Sequence, residues 1–188
     1  MKKTLRLTLL AVAAAAMLTS CDAILESLYP ADTIGTGTGN GLGAATLHGA
    51  NPSDGTLLTT YGGRESDQSI IDSGSSGYYF YDATIPQCAA SASGSGFYCP
   101  ATSIAASATI AGEDRVAASV GFTIANADSL FAGNGADAAF PDLGGPLPAS
   151  SLSAQTFDWG LPFFYGRTVY VLFEQNAVGA ISGPALGF

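Results

Sequence analysis

Ser69-Ile70-Ile71-Asp72-Ser73-Gly74-Ser75-Ser76-Gly77 sets one acid and a run of small residues directly behind a β-branched apolar pair. Ile70 and Ile71 favour an extended, buried backbone, and the Ser/Gly run supplies the turn chemistry by which a chain reverses close to another backbone. The stretch predicts a strand that ends in a tight turn carrying a carboxylate, Asp72. The wider chain agrees in style. Gly, Ser, Thr and Ala are abundant and long amphipathic stretches are absent, so an all-β, mainly antiparallel fold with hairpins and at most short helices is expected.

Working outward, Ala44 to His48 and Thr56 to Tyr61 read as strands separated by Asn51-Pro52-Ser53-Asp54-Gly55. Gly62-Gly63 then reverses the chain into the strand that reaches Ile71, a β-meander that delivers Asp72. Tyr78-Tyr79-Phe80-Tyr81 is an aromatic strand, one side for the core and one for a groove or partner. Ile104 to Ile110 and Val116 to Ile124 alternate apolar with small or polar residues around Gly112-Glu113-Asp114, which predicts a second hairpin. Asn126 to Phe131 suits one helical turn, with Asn126 or Asp128 near its start. Gly133 to Pro148 reads as a loop in which Asp137 and Asp142 are turn and surface residues. Beyond a strand and turn at Thr156 to Phe164, Thr168 to Phe173 carries the strongest β signal in the chain. Asn176 to Phe188, rich in Gly, reads as an irregular tail or a short edge strand.

The N-terminus is of another kind. Lys2, Lys3 and Arg6 precede an apolar run from Leu9 to Leu18 that is short for a membrane span and ends in Leu18-Thr19-Ser20-Cys21. This resembles a bacterial lipoprotein signal. The resemblance implies that residues 1–20 are removed, that Cys21 is lipidated, and that the lipid holds the protein on a membrane without spanning it. The implied location is the cell envelope, facing the periplasm. Asp22 is similar to the enteric signal for retention at the inner membrane, a rule other bacteria do not reliably obey, so the choice between inner and outer membrane stays open. Residues 21–40, with Gly35-Thr36-Gly37-Thr38-Gly39, read as a flexible tether, and 41–188 as a single domain. No strand precedes those glycines and no helix follows them, so they are not read as a nucleotide loop.

Without residues 1–20 the chain has 168 residues, three arginines (Arg64, Arg115, Arg167), no lysine and all 15 acids, a formal charge of −12. Such a balance argues against a nucleic-acid partner. With Cys21 assigned to the lipid, Cys88 and Cys99 are expected to form a disulfide in an oxidising compartment. Two cysteines and the lone His48 are too few for a metal site, and no cofactor is expected.

Two elements carry a further resemblance. Asp72-Ser73-Gly74-Ser75 behind Ile70-Ile71 is similar to the active-site turn of pepsin-like and retropepsin-like aspartic proteases. In each lobe of those proteins an apolar-glycine element packs beneath the aspartate turn, and Trp159-Gly160-Leu161-Pro162-Phe163-Phe164 looks like that element. Together with Gly96-Phe97-Tyr98-Cys99-Pro100, Asn126-Ala127-Asp128-Ser129-Leu130-Phe131 and Phe157-Asp158-Trp159-Gly160, these residues are also similar to an uncharacterised family of exported proteobacterial proteins, over roughly residues 40 to 175. What the resemblance implies is one aspartic-protease-like lobe. Asp158 departs from it, standing where the protease pattern prefers an apolar residue.

Aspartic proteolysis needs two carboxylates that share a proton, and one lobe brings one such turn. Two functions follow as expectations. In the first, the lobe is a non-catalytic binding or structural module for a peptide or an envelope protein, and Asp72 is a hydrogen-bonded turn residue. In the second, the chain is a homodimeric aspartic peptidase with one Asp72 from each subunit, Ser73 and Ser75 holding the turns and Gly74 letting them approach. Membrane tethering would raise the effective concentration of the partner lobe.

Overall fold

The computed structural model describes residues 45–134, 137, 139–147 and 155–188; the signal, Cys21, the tether and Ala44 lie outside the described residues. Ala45–Asn176 and Ile181–Phe188 form one unit. Its order is β1 (Leu47–Gly49), β2 (Leu57–Tyr61), β3 (Arg64–Ser69), β4 (Tyr78–Phe80), β5 (Ile104–Ala111), β6 (Ala117–Ile124), α1 (Ala127–Gly133), β7 (Gly144–Pro146), a 3-10 turn at Leu161–Phe164, and β8 (Tyr170–Leu172). After the two-residue strands β9 (Ala177–Val178) and β10 (Ile181–Ser182) comes β11 (Ala185–Gly187). The fold is all-β with short helical pieces, as its composition predicts.

Alternation decides the longest pairing. Ala108, Ile110, Val120, Phe122 and Ile124 are buried while the residues between them are largely exposed. β5 and β6 accordingly pair antiparallel along their full length, from Ile104↔Ile124 to Ala111↔Ala117. β2 and β3 form the expected hairpin around Gly62-Gly63, both glycines at positive φ, and the sheet order is β3-β2-β5-β6. Asn126 caps α1, its side chain accepting from Ser129 N at 3.1 Å.

Four expectations need correction. β1 does not continue the meander: it pairs antiparallel with β11, which also pairs with β8. The C-terminal segment is therefore no tail or edge; β11 is the central strand of β1-β11-β8. The predicted loop between Gly133 and Pro148 contains β7, which runs parallel to β4 from Tyr78↔Gly144 to Phe80↔Pro146. And Thr168 to Phe173 contributes only three residues of strand, Tyr170–Leu172, with Val171 and Phe173 53% and 65% exposed among the described residues.

The core is aromatic. Phe80 stacks on Phe157 at 4.9 Å between ring centres, Phe157 lies 4.5 Å from Trp159, and Phe122 packs edge-on against Phe80, Phe157 and Trp159. Such pairs add to the stabilisation from burying the rings. Tyr78 and Phe80 face this core while Tyr79 and Tyr81 are half-buried, the two-sided strand the sequence predicts.

Candidate functional site: the Asp72 turn and its floor

β3 stops at Ser69, and the chain beyond it meets a segment far away in sequence. Ile70 N donates to Phe157 O at 3.0 Å and Trp159 N donates to Ile70 O at 2.9 Å, a parallel bridge. On the other side Asp158 and Tyr79 exchange backbone hydrogen bonds of 2.8 and 2.9 Å, an antiparallel bridge. Residues 157–159 thus lie between the strand that enters the Asp72 turn and the strand that leaves it. Leu161 N donates to Ser75 O at 2.7 Å, which brings Gly160 under the turn. A Cβ on Gly160 would overlap the Gly77 carbonyl oxygen, and its φ of 51° is one that glycine tolerates best. The Trp159-Gly160 element therefore packs against the Asp72 turn.

The turn is closed on itself. Asp72 Oδ1 accepts from Gly74 N at 2.7 Å and Asp72 Oδ2 accepts from Ser75 Oγ at 3.1 Å. Asp72 is half-buried, whereas Ser73 and Gly74 at the tip are exposed. Tyr79 reaches the same turn through a 3.0 Å contact between its hydroxyl and Ser76 Oγ.

Asp158, the departure from the protease pattern, is a buried carboxyl with two tasks. Its Oδ1 accepts from Gly160 N at 2.8 Å, so it caps the turn that follows, and its Oδ2 lies 2.5 Å from Ser75 Oγ. Ser75 therefore stands between two carboxyl groups with one hydroxyl proton to give. Both contacts are hydrogen bonds when Asp158 is protonated and donates to Ser75 Oγ while Ser75 donates to Asp72. Burial raises the Asp158 carboxyl above its ordinary value; the Ser75 and Gly160 hydrogen bonds oppose that and the nearby Asp72 charge adds to it. A neutral Asp158 suits a dry site beside a second carboxylate.

Trp159 is fully buried, and its indole N–H donates to Thr59 Oγ1 at 3.0 Å, tying the floor to β2. Cys88 and Cys99 form the expected disulfide, closing a loop of sequence separation 11. Asp128 at the start of α1 anchors that loop by accepting from Gly94 N at 2.7 Å. His48 is enclosed rather than presented: its Nδ1 lies 2.8 Å from Val116 O and its ring stacks on Phe188 at 4.6 Å.

Two hollows open elsewhere. A groove of about 370 Å³ runs along Ile70, Ile71, Val171, Phe173 and Leu186 and is mostly apolar. A cleft of about 560 Å³ lies at the opposite end of β3, bounded by Tyr61, Arg64, Tyr81, Asp82 and the first half of β5. In it Tyr61 OH donates to Asp82 Oδ2 at 2.8 Å. A groove beside the aromatic strand is what the alternation in Tyr78 to Tyr81 suggests; its far walls, β5 and the Tyr61–Asp82 pair, carry no such signal in the sequence.

An all-β domain with a carboxylate-bearing turn clasped over an apolar-glycine floor is the class that fold and site define. The chain belongs to the family described as "Protein of unknown function (DUF3443)", whose pattern matches residues 32–188. No curated protein and no solved structure matches it.

Proposed function

We propose that this chain is a non-catalytic binding module of the bacterial cell envelope, lipid-anchored through Cys21 and built on a lobe similar to one half of an aspartic protease. The observation that carries the reading is the closure of the turn. Both Asp72 carboxyl oxygens are engaged within the turn, and Ser75, which holds one of them, is itself clasped by Asp158. A group so occupied organises the crossing of three backbone segments. The lobe similarity draws its support from residues 157–159 lying between the two arms of the turn.

Purified protein settles the matter by its mass in solution and by peptide cleavage at acid pH, with wild type and Asp72→Asn. A monomer that cleaves nothing is the expected result. A second reading, the homodimeric peptidase, is favoured by the exposure of Ser73 and Gly74 at the tip, where a second copy's turn would have to arrive. A dimer whose cleavage vanishes in Asp72→Asn establishes that reading instead.

A further inference from the structure

β5 runs further than the strand beside it. β2 covers only Thr109, Ile110 and Ala111, because the chain turns away at Gly62-Gly63, while β6 pairs with all of β5. Among the described residues Ile104, Ala105, Ala106 and Ser107 have one edge paired and the other open, and all four line the 560 Å³ cleft. An open edge presents unpaired N–H and C=O groups, and proteins ordinarily blunt such edges with charge, proline, bulges or a covering segment. This one carries none of those side chains: its residues are small or aliphatic, uncharged and regular in register.

The far wall is the segment after β4, Tyr81 to Thr84, so the open edge faces a slot and not bulk solvent. Four residues of strand span about 13 Å at 3.3 Å per residue. The charges in the slot are asymmetric. Asp82 is occupied, accepting from Tyr61 OH at 2.8 Å and from Thr84 N and Oγ1 at 2.8 and 2.6 Å. Arg64 lies over the Tyr81 ring at 4.9 Å and its guanidinium has no hydrogen bond or ion pair among the described residues. The slot therefore offers backbone hydrogen bonds along one side and, at its rim, a guanidinium stacked on Tyr81 that has no ion pair among the described residues.

We propose that the open edge of β5 at Ile104–Ser107 is a docking site for an extended peptide segment that adds to the sheet as a further strand and sets an acidic side chain against Arg64. Strand addition draws affinity from main-chain hydrogen bonds and selectivity from neighbouring side chains. A second copy of the chain is the poorer occupant, because 15 acids against three arginines beyond residue 20 make each copy repel the other. The assignment rests on the reading of the domain as a binding module, and it lies at the end of β3 away from Asp72.

The probe is acetyl-Thr-Val-Glu-Val-Thr-Val-amide, titrated into 15N-labelled protein and followed by amide chemical shifts. Shifts centred on Ile104–Ser107 are expected, lost when the peptide is N-methylated at alternate residues, which keeps its side chains and removes its donors. Arg64→Ala, at an exposed position, is expected to weaken the Glu peptide roughly tenfold and leave its Gln counterpart unchanged, the size of one charge-assisted hydrogen bond. No shift at millimolar peptide, equal binding of the N-methylated peptide, or a self-associated dimer at this edge overturns the proposal. Shifts confined to the groove at Ile71 and Phe173 overturn the site while leaving the binding-module reading intact, and cleavage of the peptide overturns that reading.

Discussion

The hydroxyl of Ser75 sits 2.5 Å from a carboxyl oxygen of Asp158, while its other carboxyl contact is to Asp72 at 3.1 Å. One hydroxyl proton cannot serve both contacts at once, and burial favours the protonated form of Asp158. With its folded-state carboxyl raised by burial, Asp158 binds a proton in the folded protein at pH values where the unfolded chain has lost it. Its contribution to stability is complete below the ordinary carboxylate range and declines as pH rises through the raised value. Asp158→Asn, whose amide donates to Ser75 and whose carbonyl accepts from Gly160, is expected to fold and to abolish that decline. Urea unfolding at a series of pH values checks it; an unchanged pH slope would show that Asp158 titrates ordinarily. Asp158→Ala, which strips Gly160 N of its partner, is expected to cost about 1–3 kcal/mol at pH 4.

Trp159 is the chain's one tryptophan and is fully buried, which makes it both the floor of the turn and its reporter. Trp159→Ala removes a ring packed against Phe157, Phe122 and Phe163 and leaves Thr59 Oγ1 without its donor. A loss of about 3–5 kcal/mol is expected. Trp159→Phe keeps most of the packing and should lose about 1–2 kcal/mol for the missing indole N–H. Chemical denaturation distinguishes the two.

Gly160→Ala should be worse than its single methyl suggests. The added Cβ meets the Gly77 carbonyl, a backbone atom that cannot swing aside, at a positive φ. A loss of about 3 kcal/mol or more, or failure to fold, is expected. Gly74→Ala is the control: its Cβ would stand 3.0 Å from the Asp72 carboxylate and nothing closer, and a cost below that of Gly160→Ala is predicted from the same denaturation curves.

Reduction of Cys88–Cys99, or replacement of both by Ala, opens a loop of sequence separation 11. The chain-entropy estimate puts the loss at about 2–3 kcal/mol. A lower denaturation midpoint with a slightly steeper slope is the expected signature, because the opened loop lets the unfolded chain expose more surface.

Alkaline titration gives a further check. Burial pushes the Tyr98 hydroxyl up to about 12, and burial together with the Asp82 carboxylate raises Tyr61 further. Both side chains are protonated in the fold, so the stability they contribute is complete below the ordinary tyrosine value near 10 and is lost as pH climbs toward 12. Ultraviolet titration should show a late step to which Tyr98 contributes and that coincides with unfolding. Phe replacement of Tyr98 should diminish that step.

The sequence displayed the parts of this fold that depend on near neighbours. The β5–β6 hairpin is legible because buried and exposed positions alternate without a break, and α1 because Asn126 is a capping residue ahead of a short apolar stretch. The meeting of the Asp72 turn with Trp159-Gly160 joins segments more than 80 residues apart, and composition and periodicity do not carry it. Asp158 was visible as an oddity, but its role depends on Ser75 standing above it, 83 residues away, and no local pattern carries that. β7 and β11 escaped notice because Gly144-Gly145-Pro146 and Ala185-Leu186-Gly187 hold few β-branched or aromatic residues; their pairing rests on backbone hydrogen bonds and close approach. At Thr168 to Phe173 the error ran the other way: strong intrinsic preference met an uncovered surface, and preference for a strand is in large part preference for a half-buried place to lie.

The central position of β11 sets the order of events in assembly. Leu47 has its partner in Gly187 and Tyr170 has its partner in the same residue, so neither β1 nor β8 acquires a neighbour in this sheet until the last residues named here have been made and delivered. The β5–β6 hairpin forms from adjacent sequence and needs no such wait, whereas closing so long a loop is slow. A chain made N-terminus first therefore carries β1 without its sheet partner through most of its synthesis, and clipping a few residues from the end of β11 would strand both of its neighbours at once.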